Sequence, residues 1–395
     1  MSPKEILPVV VTIALTLWGG DARADGCPRT LTRAGLDRAI DLGTGFLGRS
    51  QKKEGNFVYG YDWHRDEIAR GDSVVRQAGA TWSLGLLLRA GEPSMGPHLE
   101  RALRFFAKHG DHVEGRRFVR YPGDDAGSTG AVALVALAHT EHVLALEATA
   151  RGSETAKWSR DMLDGYLAQL VASRRKTGGF SRSYWHRDGR PVGAPSPYYD
   201  GESLLALVKA ARYLGRRDLI PLVLAEAEAG YRRHVVEPRL QEPDPKTTKG
   251  YYQWHSMALW ELATWGETAS QADWGERLIE LATWMIREHR VLKRRRNTAY
   301  AFEGIVPAHA IAHRRGDPRA GELACAIEEG LTKLSSWQVG SPSANEAIRS
   351  RQPDQRAVGG VQNHATEPLL RVDVTQHQMH ALVLARRHYL PTVSP

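Results

Sequence analysis

Three carboxylates stand where they could do acid–base work: Asp125 in Gly123-Asp-Asp-Ala126, Glu202 in Tyr198-Tyr-Asp-Gly-Glu202, and Glu303 in the apolar run Ala301-Phe-Glu-Gly-Ile-Val306. A carboxyl group in apolar surroundings keeps its proton to higher pH, as a general acid requires. Two carboxyl groups across a glycosidic bond suffice to hydrolyse it, about 5 Å apart for retention and about 6.5–9.5 Å for inversion. Asp125 and Glu202 are the expected pair, with Glu303 the substitute for either. Each candidate also has a structural reading. Asp125 and Asp200 are natural helix N-caps, and Glu202 in a first turn gains from the helix dipole. Glu303 and Asp373 suit buried pairing with arginine, and Arg371 stands ready beside Asp373.

Aromatic and polar residues crowd the same segments. Trp63, Tyr121, Trp185, Tyr199 and Trp254 are expected stacking platforms, and Arg76, Asp200, His255, Arg371 and Asp373 expected polar contacts, for a polysaccharide or oligosaccharide. A second chemistry uses other residues in these segments: β-elimination or epimerisation at a uronate needs a His or Tyr base and a cation. His255, Asn363-His364, His377, Tyr252, Arg76 and Arg371 supply those types. A third reading is a ring that binds glycan or protein without turnover. His309-Ala-Ile-Ala-His313 and His139-Thr-Glu-His142 lack the glutamate placement of a zinc protease helix, so no catalytic metal and no cofactor are expected.

The chain has 395 residues, 42% hydrophobic and 25% charged, which excludes disordered, collagen-like and multi-spanning membrane classes. A net charge of +8 favours an anionic partner. The basic tracts Lys293-Arg-Arg-Arg296 and Arg174-Arg-Lys176 either steer such a polymer or are solvated loops. At the N-terminus, Lys4 precedes an apolar stretch from Ile6 to Trp18 and the small-x-small site Ala22-Arg23-Ala24. This reads as a cleaved signal peptide over residues 1–24, followed by one domain over 25–395 in the periplasm or outside the cell. The apolar run is too short for a stable membrane anchor, and export makes nucleic acid an unexpected partner.

What must position these residues is a set of helices. Periodicity marks twelve, at 31–50, 74–89, 97–109, 128–148, 155–173, 202–214, 218–234, 254–265, 272–289, 304–313, 318–337 and 374–388. One-sided charged helices alternate with helices rich in small and apolar residues, the outer and inner members of hairpins. Gly55-Asn-Phe57, Gly179-Phe180 and Gly359-Gly-Val361 recur after the first, third and sixth outer helices, an internal repeat. The expected fold is all-α, a single (α/α)6 toroid of six helical hairpins. All inner helices then run the same way, and their N-termini converge on one mouth. Closing the ring brings Cys27 beside Cys325, and a disulfide there would staple the seam with about 4–5 kcal/mol.

The turns Gln51…Gly55-Asn-Phe57 and Gly178-Gly-Phe180 resemble those of α/α-toroid superfamilies. One is the six-hairpin glycosidase superfamily, with its polysaccharide lyase and uronate epimerase relatives; the other is the terpene cyclase and protein prenyltransferase group. Tyr198-Tyr-Asp-Gly-Glu-Ser-Leu-Leu-Ala-Leu207 and Arg371-Val-Asp-Val-Thr-Gln-His377 look most like inner-helix starts of the carbohydrate-active branch. The chain departs from the others. It has no Asp-x-Asp-Asp acid motif and no thioester Cys-Gly-Glu-Gln, and its only cysteines are Cys27 and Cys325. The resemblance therefore implies a carbohydrate-active enzyme, a glycoside hydrolase first and a lyase or epimerase second.

Overall fold

The computed structural model describes residues 27–123 and 125–393. The expected signal segment 1–24 and Asp124 lie outside the described residues. Among those described, twelve long helices alternate between two concentric rings. The outer ring holds α1 (Arg33–Ser50), α3 (Met95–Lys108), α5 (Glu154–Ser173), α7 (Ile220–Tyr231), α9 (Trp274–Arg287) and α11 (Ala320–Ser335). The inner ring holds α2 (Val74–Arg89), α4 (Thr129–Thr149), α6 (Pro197–Tyr213), α8 (Lys246–Ala263), α10 (Ala299–Arg315) and α12 (Val372–Leu384). Each inner helix packs on the next, and α12 returns to α2, so the ring is closed.

The alternation follows from side-chain distribution. In α3 the buried residues Leu99, Ala102, Leu103, Phe105 and Phe106 form one stripe, with charge on the opposite face. In α4 every residue from Thr129 to Val143 is buried, so the helix must be surrounded. Although α4 is long and apolar enough to cross a membrane, it is spent inside the ring.

The strands are short and all antiparallel. They are β1 (Gly60–Asp62), β2 (Glu67–Ile68), β3 (Gly110–Val113), β4 (Arg116–Val119), β5 (Ala126–Ser128), β6 (Ser183–Trp185), β7 (Pro191–Val192) and β8 (Leu369–Arg371). They form sheets β2-β1-β8, β3-β4 and β5-β6-β7 on the loops that lead from outer to inner helices. Tyr61 of β1 pairs with Leu370 of β8, which ties the first hairpin to the last at the mouth.

The repeated turns share one device. Gln77 of α2 accepts from the Phe57 N–H (2.8 Å) and donates to its carbonyl (2.9 Å). Asp200 of α6 accepts from the Phe180 N–H (2.8 Å), and Thr375 of α12 from the Val361 N–H (3.1 Å). Gly359 adopts φ 88°, and a Cβ there would stand 1.8 Å from the Leu42 carbonyl oxygen, so that turn requires glycine.

At the seam, the Thr30 and Leu31 N–H groups donate to Glu328 of α11 (2.8 and 2.9 Å). Tyr389 donates to the other oxygen of Glu328 (2.7 Å). Ring closure does bring Cys27 to Cys325, but both stand as free thiols and the expected disulfide is not formed. Burial, together with a hydrogen bond to Cys325, pushes the Cys27 thiol up to about 12.

Three inner helices begin five or more residues earlier than their periodicity predicts. α6 starts at Pro197, α8 at Lys246 and α10 at Ala299. Proline at N1 opens α6, and Pro245 stands at the N-cap of α8. The tyrosines at 198, 199, 251, 252 and 300 read as loop aromatics, yet they lie inside these helices. The shift moves Trp254 and His255 from the mouth into the middle of α8.

Candidate functional site

The pocket at the mouth has a volume of about 240 Å³ and is lined by Tyr198, Lys249, Gln253, Asn297, Tyr300, Asn363, Arg371, Asp373, Val374 and His377. Behind it lies Glu303 of α10, which is 1% exposed. His377 and His380, one turn apart on α12, both face this carboxylate. His380 Nδ1 lies 2.9 Å and His377 Nδ1 3.3 Å from Glu303 Oε1. Gln253 of α8 donates to the other oxygen, and its amide nitrogen is 3.1 Å from His377 Nδ1. Three consecutive inner helices thus share one buried acid.

Burial alone would hold a proton on Glu303, but the two imidazoles outweigh it and keep the carboxyl below its ordinary range. For His377, burial opposes the charge. The Glu303 carboxylate, helped by Asp373, overcomes this and raises its proton affinity above that of a free imidazole. The result is a histidine at the pocket wall whose charged form is stabilised from behind.

A second charged group flanks it. Asp373 receives Arg371 Nε at 2.9 Å and lies 3.2 Å from Arg76 Nε. Burial opposes its ionisation, but the arginines prevail and keep Asp373 ionised. Both guanidinium groups lie near the ring of Tyr59, at 5.4 and 5.8 Å. Across the pocket, Lys249 Nζ lies 4.8 Å from the Tyr300 ring centre and 5.5 Å from that of Tyr198, and donates to the Tyr198 hydroxyl (3.1 Å). Two tryptophans pack against the histidines. Trp82 stands 5.6 Å from Trp254 and 5.3 Å from His380.

Of the residues singled out from sequence, Glu303, Arg371, Asp373, Arg76 and His377 come together here, with Trp254 beneath. Others go elsewhere. Asp125 is exposed on the loop before β5, where its carbonyl accepts from the His186 N–H (3.1 Å). Glu202 is buried against α4 and Tyr199. A Cβ on Gly130 would stand 2.2 Å from Glu202 Oε2, which has no hydrogen-bond partner. Burial holds the Glu202 proton to well above the ordinary range. The structure therefore does not seat Asp125 and Glu202 across the pocket.

Asp200 corrects in the same way: its carboxylate is consumed by the Phe180 turn and by His234, 2.8 Å away. His255 is wholly buried, stacked on Tyr251 at 4.3 Å and turned away from the pocket, and burial strips it of its proton. Trp63 is in the core and edge-on to His64, and Tyr252 donates to the Ala301 carbonyl. Tyr121 is part-buried and donates to Asp72; Trp185 lies exposed on β6. Arg174 is paired with Glu226 and Arg294 with Asp244, which neutralises part of both basic tracts. His309 and His313 stack on each other at 5.8 Å, and burial lowers His309 to about 4.

Sequence reasoning missed Lys249, Gln253, Asn297 and His380. The available signal for His380 was its spacing from His377. Lys249 and Gln253 were hidden by the misplaced start of α8.

No family model matches the chain, and no curated protein matches it by sequence. Solved structures do match. Cellobiose 2-epimerase from Bacillus thermoamylovorans superposes with a TM-score of 0.61 at 11% identity, covering 89% of this chain and 98% of that one. The GH76 α-mannanase of Bacteroides thetaiotaomicron gives 0.60 at 8% identity, covering 91% and 97%. An unsaturated glucuronyl hydrolase specific for heparin gives 0.58 at 11% identity, covering 91% and 98%. At these identities the likeness establishes the fold, the six-hairpin α/α toroid.

Proposed function

We propose that this chain is a carbohydrate-active enzyme whose chemistry is proton transfer at a sugar carbon next to a carbonyl, of the epimerase or isomerase type. The observation that carries the reading is Glu303, buried at the pocket floor and shared by His377 and His380. Neutral His377 removes the carbon-bound proton, leaving an enolate. Glu303 stabilises the imidazolium so formed, and His377 returns the proton to the neighbouring carbon in an isomerisation, or to the opposite face of the same carbon once the enolate has turned in the pocket. His380 and Gln253 hold Glu303 in place. Lys249 and Arg371 supply positive charge for the enolate oxygen. Tyr198 and Tyr300 offer stacking surfaces for the ring. The fold is shared with a cellobiose 2-epimerase and with glycoside hydrolases alike, so the preference rests on the groups in the pocket.

The hydrolytic reading rests on Glu202, whose burial keeps the proton a general acid needs. Glu202 does not line the mouth pocket, and the carboxylates at that pocket have no free oxygen. Asp373 is bound by two arginines, and both oxygens of Glu303 are engaged.

The test is a panel of reducing sugars, neutral polysaccharides and uronate polymers, read by product chromatography, new reducing ends and the absorbance of unsaturated uronate. A stereoisomer or ketose formed without either other signal supports proton transfer. New reducing ends alone return the case to hydrolysis, both signals together indicate a lyase, and silence throughout favours the non-catalytic ring.

The reading includes export. Cleavage after Ala24 would place Asp25 at the mature N-terminus, which N-terminal sequencing of secreted or periplasmic protein checks. In that compartment the adjacent thiols of Cys27 and Cys325 are expected to oxidise to a disulfide. Titrating thiols in the unfolded, unreduced protein should then find none, and reduction should lower stability by about 4–5 kcal/mol.

A further inference from the structure

The ring has a second opening, at the C-terminal ends of the inner helices, and it leads into a chamber of about 810 Å³. Seven Lys and Arg side chains line it against two carboxylates. They come from separate elements: Arg89 of α2, Lys209 and Arg212 of α6, Arg314 of α10, Arg386 and Arg387 just beyond α12, and Arg33 of α1. A cation at the end of one helix is ordinary dipole compensation. Seven converging on one cavity exceed the anions within reach.

Pairing shows the excess. Glu141 is shared by Lys209 (2.5 Å) and Arg89 (3.0 Å), and Glu261 takes Arg212 (2.6 Å). Asp37 is shared by Arg33 and Arg386 (3.2 and 3.0 Å). Among the described residues, no carboxylate lies within 4.0 Å of Arg314 or Arg387. Lys209 has only 10% of its side chain exposed, so the positive field is set in a partly desolvated wall, where it acts more strongly than at an open surface. Tyr213 and Trp260 face the same space, with Arg314 5.5 Å from the Trp260 ring.

We propose that this rear chamber, which meets the mouth's site at the shared layer of Trp82 and His380, binds a compact anion carrying several charges, with phosphate or carboxylate groups. Its volume suits a ligand of disaccharide size, and its arginines match the bidentate geometry of either anionic group. Arg387, and the terminal nitrogens of Arg314, whose Nε donates to the Ala310 carbonyl (3.2 Å), are the contacts left for the ligand.

Calorimetric titration at low ionic strength tests this, with inorganic tripolyphosphate and digalacturonate as separate probes. Saturable binding of at least one is expected, weakened about tenfold or more by the double substitution R314Q/R387Q. Lys249→Gln at the mouth should leave it unchanged. Both variant sites are surface-accessible, and a thermal melt confirms folding. Tripolyphosphate alone would identify a phosphate ligand, and digalacturonate alone a carboxylated sugar. No saturable binding of either probe, or binding lost in Lys249→Gln but kept in R314Q/R387Q, would overturn the proposal.

Discussion

The two ends of the ring are built from the same six inner helices and differ in charge logic. At the mouth, helix N-termini meet, and the buried groups there are acids answered by histidine, amide and arginine: Glu303 by His377, His380 and Gln253, and Asp373 by Arg371 and Arg76. At the rear, helix C-termini meet and cations outnumber acids. Helix polarity accounts for which sign gathers at which end. It does not account for the balance. The mouth is closely compensated and fixes one histidine's proton affinity, which suits chemistry; the rear keeps surplus charge, which suits holding an anion.

The largest effect expected from breaking this contrast is at His377. His377→Asn should lower turnover about 10²–10⁴-fold with the fold intact, measured as product formation on the substrate found in the panel.

Glu303→Gln should cost somewhat less, about 10²-fold, and carries a sharper signature. The carboxylate raises His377 above the ordinary 6.5, so the acid limb of kcat/KM lies above that value in the parent protein. Without the negative charge, His377 loses its proton at lower pH, and the limb should move acidward. A limb that stays in place would detach Glu303 from the chemistry.

At the rear, Glu141→Gln should leave the mouth's chemistry unchanged but remove the acid shared by Lys209 and Arg89. The expected loss is about 3 kcal/mol in denaturant unfolding at neutral pH. Although burial opposes it, the pair of cations holds Glu141 below the ordinary 4.5. Its contribution is therefore fully present above that value and disappears as pH falls through the lowered one. The difference between parent and variant should shrink on acidification.

The smallest effect is expected at Glu202. Burial already keeps it protonated, so Glu202→Gln is nearly isosteric and should change activity less than about twofold. A loss comparable to that of His377→Asn would restore the two-carboxylate account.

The fold was legible because its logic is binary: α3 shows one buried stripe, whereas α4 is rich in small and apolar residues on every side and buried from Thr129 to Val143. Glu303 was legible as a lone acid in an apolar run. The remainder of the pocket was obscured by helix starts. α6, α8 and α10 open with tyrosine-rich turns that look like loops, so the mouth was read one or two turns too late on α8, at Trp254 and His255 instead of Lys249 and Gln253. Asp200 shows the other limit. An acid in a first turn reads alike whether it meets a ligand or holds a neighbouring turn, and only its distance to Phe180 and His234 separates the two.

The most direct test of the central claim is proton NMR of the turnover reaction in D₂O, comparing the parent protein with His377→Asn. The account predicts that deuterium enters the substrate and product at the carbon beside the carbonyl, and that the variant abolishes this exchange. Turnover that leaves every carbon-bound proton in place, with new reducing ends accumulating, would contradict it.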